Sequence, residues 1–214
     1  MITAIFDLDG TLADTIADLG DAVNFGLEKL GFPTHDYAAY KQMVGNGARK
    51  LCYRALPEDS KDRLEELHGL FSEYYGAHYL DKTDLYDGIR DTLARLRDSG
   101  VTLAVATNKP EKVAVEIVME LLPEFDFVRI LGGNDKRPAK PDTAILIEIF
   151  AALPDDENRV FMIGDSNVDI QTAKNACIES IGCAWGFRGR AELEAAGADF
   201  IAEKPEDIAD IILG

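Results

Sequence analysis

The chain has 214 residues, 47% of them hydrophobic, and a formal net charge of −17 at pH 7. That length suffices for one large domain or for one domain with a small insert. The acidic balance argues against binding to nucleic acid and to anionic membrane surfaces, which both attract Lys and Arg. No apolar run is long enough to cross a membrane, and no basic segment precedes an apolar N-terminal stretch. We therefore expect neither a nucleic-acid partner nor a membrane partner.

The cysteines of the chain predict a reducing compartment. There are three, Cys52, Cys177 and Cys183, and they form no CxxC pair. An odd number without paired spacing favours free thiols that pack in the core. Because thiols stay reduced in the cytoplasm, we expect a cytoplasmic protein.

The first predicted element ends in two closely spaced acids. Ile2 to Phe6 is an apolar run without polar alternation, which predicts a strand buried on both faces. Asp7 and Asp9 follow two positions apart, so both side chains can lie on one side of the strand's end, and Gly10 then permits a turn. Two carboxylates held together repel each other unless a cation or a shared proton relieves them. Taken alone, such a pair is more typical of two solvated acids in a turn.

A long helical region comes next. Apolar residues recur every three or four positions between residues 15 and 30, which predicts an amphipathic helix that stops at Gly31. Residues 36 to 80 also have a mainly helical pattern, broken at Gly45-Asn46-Gly47 and at Leu56-Pro57. No strand is predicted in this part of the chain.

The remainder of the chain alternates between helices and apolar strands. We predict helices over residues 89–99, from 110 onwards, and over 141–152, 167–176 and 205–213. We predict strands over residues 101–106, 125–131, 160–163, 178–184 and 200–202. This alternation implies a parallel sheet with helices on both faces. The predicted fold class is therefore α/β, with a doubly wound parallel sheet as a Rossmann-like core.

One connection is too long for such a sheet. About ninety residues separate the first two predicted strands, whereas a crossover needs about a dozen. Since the helix at 89–99 already supplies that crossover, we interpret residues 15–83 as an inserted all-helical cap domain. Residues 1–14 and 84–214 then form the α/β core. We expect hinges near residues 13–15 and 83–86, around which the insert moves as a lid that excludes water.

Polar side chains follow several of the predicted strands, at the sheet edge where ligands of such folds bind. They are Asp7 and Asp9 after the first strand, Thr107, Asn108 and Lys109 after the second, Lys140 just before Pro141, and Asp165 after the fourth, with Asp169 four residues on. Residues four positions apart share a face of a helix, so Asp169 can point back towards Asp165. Oxygen-only ligands with open positions suit Mg²⁺, which we expect as the cofactor.

This set of residues predicts phosphoryl chemistry. With Mg²⁺ and Lys140 neutralising a phosphoryl group, Asp7 can attack phosphorus and form an aspartyl-phosphate. Asp9 can protonate the leaving oxygen and then deprotonate the water that hydrolyses the intermediate. Thr107 and backbone N–H groups can hold the phosphoryl oxygens. The expected substrate is a small phosphorylated metabolite.

Four segments resemble, in order and spacing, the four motifs of the haloacid dehalogenase-like hydrolases. They are Asp7-Leu8-Asp9-Gly10-Thr11-Leu12, Thr107-Asn108, Lys140-Pro141 and Gly164-Asp165-Ser166-Asn167-Val168-Asp169. The helical insert is similar to the first cap class of that superfamily. Residues 44–49, 105–110 and Trp185-Gly186-Phe187 resemble the phosphoglycolate phosphatases in particular.

The resemblance implies a role for each motif residue. Asp7 is then nucleophile and metal ligand, Asp9 acid/base with its backbone carbonyl on the metal, Thr107 a phosphate ligand, Lys140 a bridge between nucleophile and phosphate, Asp165 a metal ligand and Asp169 its support. Asn108 lies in the same substrate-binding set.

The break in the helical insert has two interpretations. It is either a simple helix–helix break or a loop whose backbone N–H groups close over the substrate. In the second case Gly45 and Asn46 contact the substrate and Arg49 meets one of its anionic groups.

Other functions remain open at this point. One is a phosphosugar mutase similar to β-phosphoglucomutase, although Thr11 favours hydrolysis because mutase relatives tend to carry Val there. Other phosphatases of the superfamily, acting on sugar phosphates, nucleotides or pyrophosphate, are a second. A non-catalytic binding protein on the same fold is a third. The chain is expected to be a monomer or a homodimer.

Overall fold

The computed structural model describes residues 1–153 and 159–214. Its strands are β1 (Ile2–Phe6), β2 (Ala13–Asp14), β3 (Asp84–Leu85), β4 (Thr102–Pro110), β5 (Phe127–Gly133), β6 (Arg159–Gly164), β7 (Glu179–Cys183) and β8 (Phe200–Ala202). Its α-helices are α1 (Ile16–Leu30), α2 (Tyr37–Met43), α3 (Ala48–Ala55), α4 (Leu64–His78), α5 (Ile89–Asp98), α6 (Glu111–Leu121), α7 (Ala144–Phe150), α8 (Asn167–Asn175), α9 (Arg190–Ala196) and α10 (Pro205–Leu213). A short 3₁₀ helix covers Glu58–Arg63.

Six strands form one parallel sheet in the order β5-β4-β1-β6-β7-β8. The chain extends the sheet to one side of β1 with β4 and β5, and then to the other side with β6, β7 and β8. Phe6 at the end of β1 is in register with Val105 of β4 and with Ile163 of β6. This confirms the predicted doubly wound sheet, and the strand order reverses next to β1, where ligands of such sheets bind.

Both faces of the sheet are covered by helices. Ala4 and Phe6 of β1 belong to a buried cluster with residues of α5, α6 and α10. Ile5, between them, faces a second cluster with residues of α7 and α8. Because the side chains at the strand's centre meet a helix layer on each face, β1 lacks the apolar–polar alternation of a strand with one solvated face.

Helices α1 to α4 form a separate apolar cluster that includes Leu27, Tyr40 and Leu67. Two antiparallel strand segments connect this helical insert to the sheet, with Ala13 of β2 opposite Leu85 of β3. The buried carboxylate of Asp18 accepts hydrogen bonds from the backbone N–H of Thr83 at 2.8 Å and from its hydroxyl, also at 2.8 Å. The start of α1 is therefore tied to the segment that leaves the insert.

Some predicted bounds differ from the structure. Helix α7 begins at Ala144 rather than at Pro141, because Asp142 Oδ1 accepts from Ala144 N at 2.8 Å and holds a turn before it. Strand β5 begins at Phe127, since Phe125 lies in a turn that hydrogen-bonds back to Leu122. Helix α9 was not predicted: only Leu193 of its residues is buried, so it has no apolar periodicity to detect.

None of the helices in residues 1–153 and 159–214 combines the length and apolar character that crossing a bilayer requires.

Candidate active site

Three buried carboxylates meet at the reversal of the strand order. Asp7 follows β1, Asp165 follows β6, and Asp169 lies in the first turn of α8. One oxygen of each lies within 4.8 Å of the others. Because β1 and β6 are adjacent parallel strands in register, their ends bring these acids to one point.

Lys140 supplies the buried positive charge of this cluster. Its ammonium lies 2.6 Å from Asp169 Oδ1 and 3.2 Å from Asp7 Oδ1, and it donates to the carbonyl of Ala106 at 2.7 Å. Burial alone would lower the pKa of Lys140, but the charges of Asp169 and Asp7 raise it above its usual value. The side chain is therefore a fixed cation beside Asp7.

The cluster contains three acidic side chains and one basic side chain. Burial, aided by the charges of Asp169 and Asp9, raises the pKa of Asp7 from 3.8 to about 7, although Lys140 and a hydrogen bond from Thr107 oppose the rise. Burial and the neighbouring charges of Asp169 and Asp7 also raise the pKa of Asp165 well above its usual range. Carboxylates in this state gain from a bound cation, which would return them to the ionised form.

Two glycines permit the close approach of these acids. Gly10 has a φ of 80°, and a Cβ there would stand 2.4 Å from Asp165 Oδ2. A Cβ on Gly164 would stand 2.2 Å from Asp169 Cγ. A side chain at either position would displace a carboxylate. Close packing against the acids therefore explains why glycine stands at both positions.

Asp9 faces a different partner. Its Oδ1 accepts from the Thr15 hydroxyl at 2.7 Å and from the ammonium of Lys109 at 2.8 Å. Lys109 is itself buried, and its ammonium lies 4.8 Å from the centre of the Tyr75 ring on α4. The sequence places Lys109 at this edge of the sheet, directly after Thr107-Asn108, but does not predict a role for it.

Asn108 joins three parts of the site. Its side-chain amide donates to the carbonyl of Lys140 at 3.1 Å and to the carbonyl of Gly45 in the insert at 3.0 Å. Its Oδ1 accepts from Lys140 N at 2.8 Å. Thr107 beside it is buried, and its hydroxyl accepts from the backbone N–H of Lys109 at 3.3 Å. These contacts fix the backbone that carries Lys140.

Of the three residues of the insert that were predicted to bind substrate, the structure brings only one to the site. Gly45 borders a pocket between the insert and the strand ends. Asn46 instead accepts a hydrogen bond from Arg54 at 2.7 Å. The structure does not bring Arg49 to the site: its side chain is 61% exposed and pairs with Glu65 of α4.

A second arginine that sequence reasoning missed joins the insert to the core. The guanidinium of Arg188 donates to the carbonyl of Val44 at 2.8 Å and to Gln42 Oε1 at 3.0 Å. It directly follows Trp185-Gly186-Phe187, one of the segments that resemble the phosphoglycolate phosphatases. These two hydrogen bonds hold the segment that precedes Gly45 against the core.

The donor atoms fit a hard divalent cation. The cluster offers only oxygen ligands, as Mg²⁺ prefers. Both oxygens of Asp169 are engaged, one by Lys140 at 2.6 Å and the other by the Ser166 hydroxyl at 2.7 Å. One oxygen of Asp165 accepts from Phe187 N at 2.7 Å. Asp7 and Asp165 are thus better suited to direct ligation than Asp169, which holds Lys140 and the turn at Ser166.

The family model of the haloacid dehalogenase-like hydrolases matches residues 4–183. The chain belongs to this family. A phosphoglycolate phosphatase of Agrobacterium fabrum is 38% identical over 191 residues, which cover 86% of this chain and 81% of that protein. One of Vibrio parahaemolyticus is 33% identical over 214 residues, covering 97% and 94%. The crystal structure of a candidate phosphoglycolate phosphatase from Lactobacillus delbrueckii subsp. bulgaricus matches with a TM-score of 0.89 and 32% identity, over 99% of this chain and 98% of that one.

Within the haloacid dehalogenase-like hydrolases, the chain thus aligns along almost its whole length with proteins named phosphoglycolate phosphatase, including the helical insert. The resemblance inferred from the four motifs is confirmed.

Proposed function

We propose that this hydrolase is a Mg²⁺-dependent phosphatase of small phosphomonoesters that acts through an aspartyl-phosphate on Asp7. The observation that carries the proposal is the placement of the Asp7 carboxylate between a buried ammonium and a second buried acid. Lys140 lies 3.2 Å from Asp7 Oδ1. Asp165 belongs to the same cluster, whose ligand atoms lie within 4.8 Å of one another.

The metal site proposed for Mg²⁺ uses the side chains of Asp7 and Asp165 and the backbone carbonyl of Asp9, with Asp169 in support. When bound, Mg²⁺ supplies the positive charge that lets an anionic nucleophile approach an anionic ester. The pKa of about 7 for Asp7 supports this assignment, since the carboxylate needs more cationic charge than Lys140 alone provides.

The side chains around the phosphoryl group each have a role in the proposed reaction. Asp7 attacks phosphorus, while Lys140 stays paired with it and neutralises the transferred group. Asp9 borders the pocket and protonates the leaving oxygen, and it then takes a proton from the hydrolytic water. Thr107 holds a phosphoryl oxygen. Asn108 fixes the Lys140 backbone and contacts Gly45 of the insert.

The relatives suggest the first substrate to try. Proteins named phosphoglycolate phosphatase are 33% and 38% identical to this chain, and we propose 2-phosphoglycolate as the substrate. The pocket in which it would bind lies between the strand ends and the insert and is bordered by Asp7 and Asp9.

The proposal includes the domain organisation. Residues 15–83 serve as the cap domain and residues 1–14 with 84–214 as the catalytic core. The cap covers the pocket and opens about the segments near residues 13–15 and 83–86. The protein works in the cytoplasm as a monomer or a homodimer.

A phosphosugar mutase needs the same aspartyl-phosphate but must keep water from it. A non-catalytic binding protein needs none of the charge arrangement around Asp7. Mg²⁺-dependent release of phosphate from 2-phosphoglycolate and from a panel of sugar phosphates, nucleotides and pyrophosphate tests the proposal. The Asp7→Asn variant should be folded and inactive. Sugar-phosphate interconversion without phosphate release would favour the mutase, and inactivity of the wild-type protein across the panel would favour the binding protein.

A further inference from the structure

The pocket at the strand ends has polar and apolar sides. Asp7, Asp9, Thr107, Asn108 and Lys109 line it from the core. The insert contributes mainly apolar side chains, which are Leu19, Val44, Leu51, Phe71 and Tyr75. The part of a ligand that extends from the core towards the insert therefore meets apolar side chains.

Lys109 is the only Lys or Arg among the residues that line this pocket in the described part of the chain. Lys140 does not line this pocket, and its charge is shared by Asp7 and Asp169. Arg49, the cation expected to meet a substrate anion, points away and pairs with Glu65. Any second anionic group of a ligand in the pocket thus has one cationic side chain to meet.

The Lys109 ammonium also has unused donor capacity. Asp9 Oδ1 accepts from it at 2.8 Å, and the Tyr75 ring lies 4.8 Å away. An ammonium carries three N–H donors, so these two neighbours do not exhaust it. Its side chain is 1% exposed, and a buried ammonium gains strongly from a further anionic acceptor.

The distance from the nucleophile limits the size of the ligand. Asp7 and Asp9 are two residues apart in the chain, so even a fully extended backbone would separate them by at most roughly 7 Å. Since Lys109 contacts Asp9, a molecule with phosphorus at Asp7 reaches Lys109 with only a short carbon chain. A carboxylate one or two carbons from the ester oxygen meets this requirement.

We infer that Lys109 determines substrate specificity by binding a carboxylate carried by the substrate next to its phosphate ester. The inference rests on the proposed phosphatase function and assigns to Lys109 the recognition of the carboxylate group of 2-phosphoglycolate. The bound carboxylate lies beside the Asp9–Lys109 pair, so the same residue that selects the substrate also contacts the acid/base.

The test compares esters that differ only at the second group. The values of kcat/KM are measured for 2-phosphoglycolate, for ethyl phosphate, which lacks the carboxylate, and for 2-aminoethyl phosphate, which carries an ammonium instead. In the wild-type protein we expect the order phosphoglycolate, ethyl phosphate, aminoethyl phosphate. In Lys109→Met the preference for phosphoglycolate over ethyl phosphate should fall by about ten- to a hundredfold, as expected for loss of a charged hydrogen bond.

Two further variants make the result specific. Lys109→Arg keeps the charge and should retain most of the preference. Lys112→Met removes a lysine three positions away whose side chain is 87% exposed, and should leave the preference unchanged. Melting temperatures of all variants establish that they are folded.

The outcomes separate the inference from the proposed function. If Lys109→Met lowers kcat equally on all three esters, Lys109 only positions Asp9 and the inference is wrong. If the wild-type protein hydrolyses phosphomonoesters without preferring the carboxylated one, the inference fails while the phosphatase function stands. If it hydrolyses none of the three esters nor any of the wider panel, both fail.

Discussion

The ammonium of Lys140 lies 2.6 Å from Asp169 Oδ1, and neither side chain is more than 1% exposed to solvent. The same ammonium contacts Asp7 at 3.2 Å. Asp169 is in turn held by the Ser166 hydroxyl, at the turn that opens α8. The position of the positive charge beside Asp7 is therefore set by α8, which follows the neighbouring strand β6. The stability of the cluster is sensitive to any change in its charge.

Replacing Lys140 with Met should destabilise the metal-free protein by about 3–5 kcal/mol at pH 8, because three buried carboxylates then have no cation. The loss should be smaller at pH 5, where the carboxylates neutralise themselves by taking up protons. Urea unfolding in EDTA at both pH values measures it. Lys112→Met is the matched control and should change little. A loss of equal size at both pH values would show that packing, not charge, accounts for it.

Asp7→Asn should stabilise the metal-free protein above neutral pH. The pKa of Asp7 is about 7 in the folded protein, above its ordinary value of 3.8. Between these values the unfolded chain has lost the proton that the folded protein keeps, so wild-type stability falls as pH rises through this window and levels off above it. The variant lacks this loss and should exceed the wild type by a few kcal/mol, on the order of 2–4, at pH 8.

Near pH 4 the carboxyl group is largely protonated in the folded protein, and the two proteins should differ little there. Chemical unfolding in EDTA between pH 4 and pH 8 provides the comparison. A wild-type protein that becomes more stable relative to Asp7→Asn as pH rises contradicts the expected sign.

Mg²⁺ should stabilise the folded protein through Asp7 and Asp165. At a concentration one hundred times the dissociation constant, the gain is about 2.7 kcal/mol. For a chain of this size that corresponds to a rise in melting temperature of roughly 5–10 °C. Differential scanning calorimetry with and without Mg²⁺ measures the rise. Asp165→Asn should abolish it, whereas Asp135→Asn, at an exposed position, should preserve it. An undiminished rise in Asp165→Asn would place the ion elsewhere.

Much of this arrangement follows from the sequence because its determinants are local. The apolar run of Ile2–Phe6, the acids directly after it and the overlong connection to β4 predict the sheet, its reactive edge and the insert. Asp7 and Asp165 each directly follow a strand, Lys140 lies in the segment before α7, and Asp169 lies in the first turn of α8. The alternation of helices and strands predicts the order of these elements.

The contacts made by side chains of the insert could not be predicted from the sequence. The contact of Arg188 with Val44 and the pairing of Arg49 with Glu65 depend on how α2, α3 and α4 pack on one another and on the core. Periodicity indicates that these segments are helical but gives no angle between them. A basic residue on such a helix has the same sequence pattern whether it faces the pocket or solvent.

The insert should close on a phosphate-bound core. Addition of Mg²⁺ with inorganic phosphate should slow amide hydrogen exchange in residues 44–48, because Gly45 already accepts a hydrogen bond from Asn108 and closure shields this contact. Exchange measured by mass spectrometry reports it. Helix α10, remote in the chain from the insert, is an internal control. Unchanged exchange in residues 44–48 on saturation would argue for a fixed cap.

The central claim is that the Asp7 carboxylate takes the phosphoryl group. Rapid acid quenching of the Mg²⁺-loaded protein during turnover of 2-phosphoglycolate, followed by peptide mass spectrometry, tests it most directly. The account predicts that the peptide containing Asp7 gains the mass of one phosphoryl group in the wild-type protein and that Asp7→Asn neither gains it nor turns over substrate. Continued release of phosphate by Asp7→Asn, or a phosphoryl group on another residue, would contradict it.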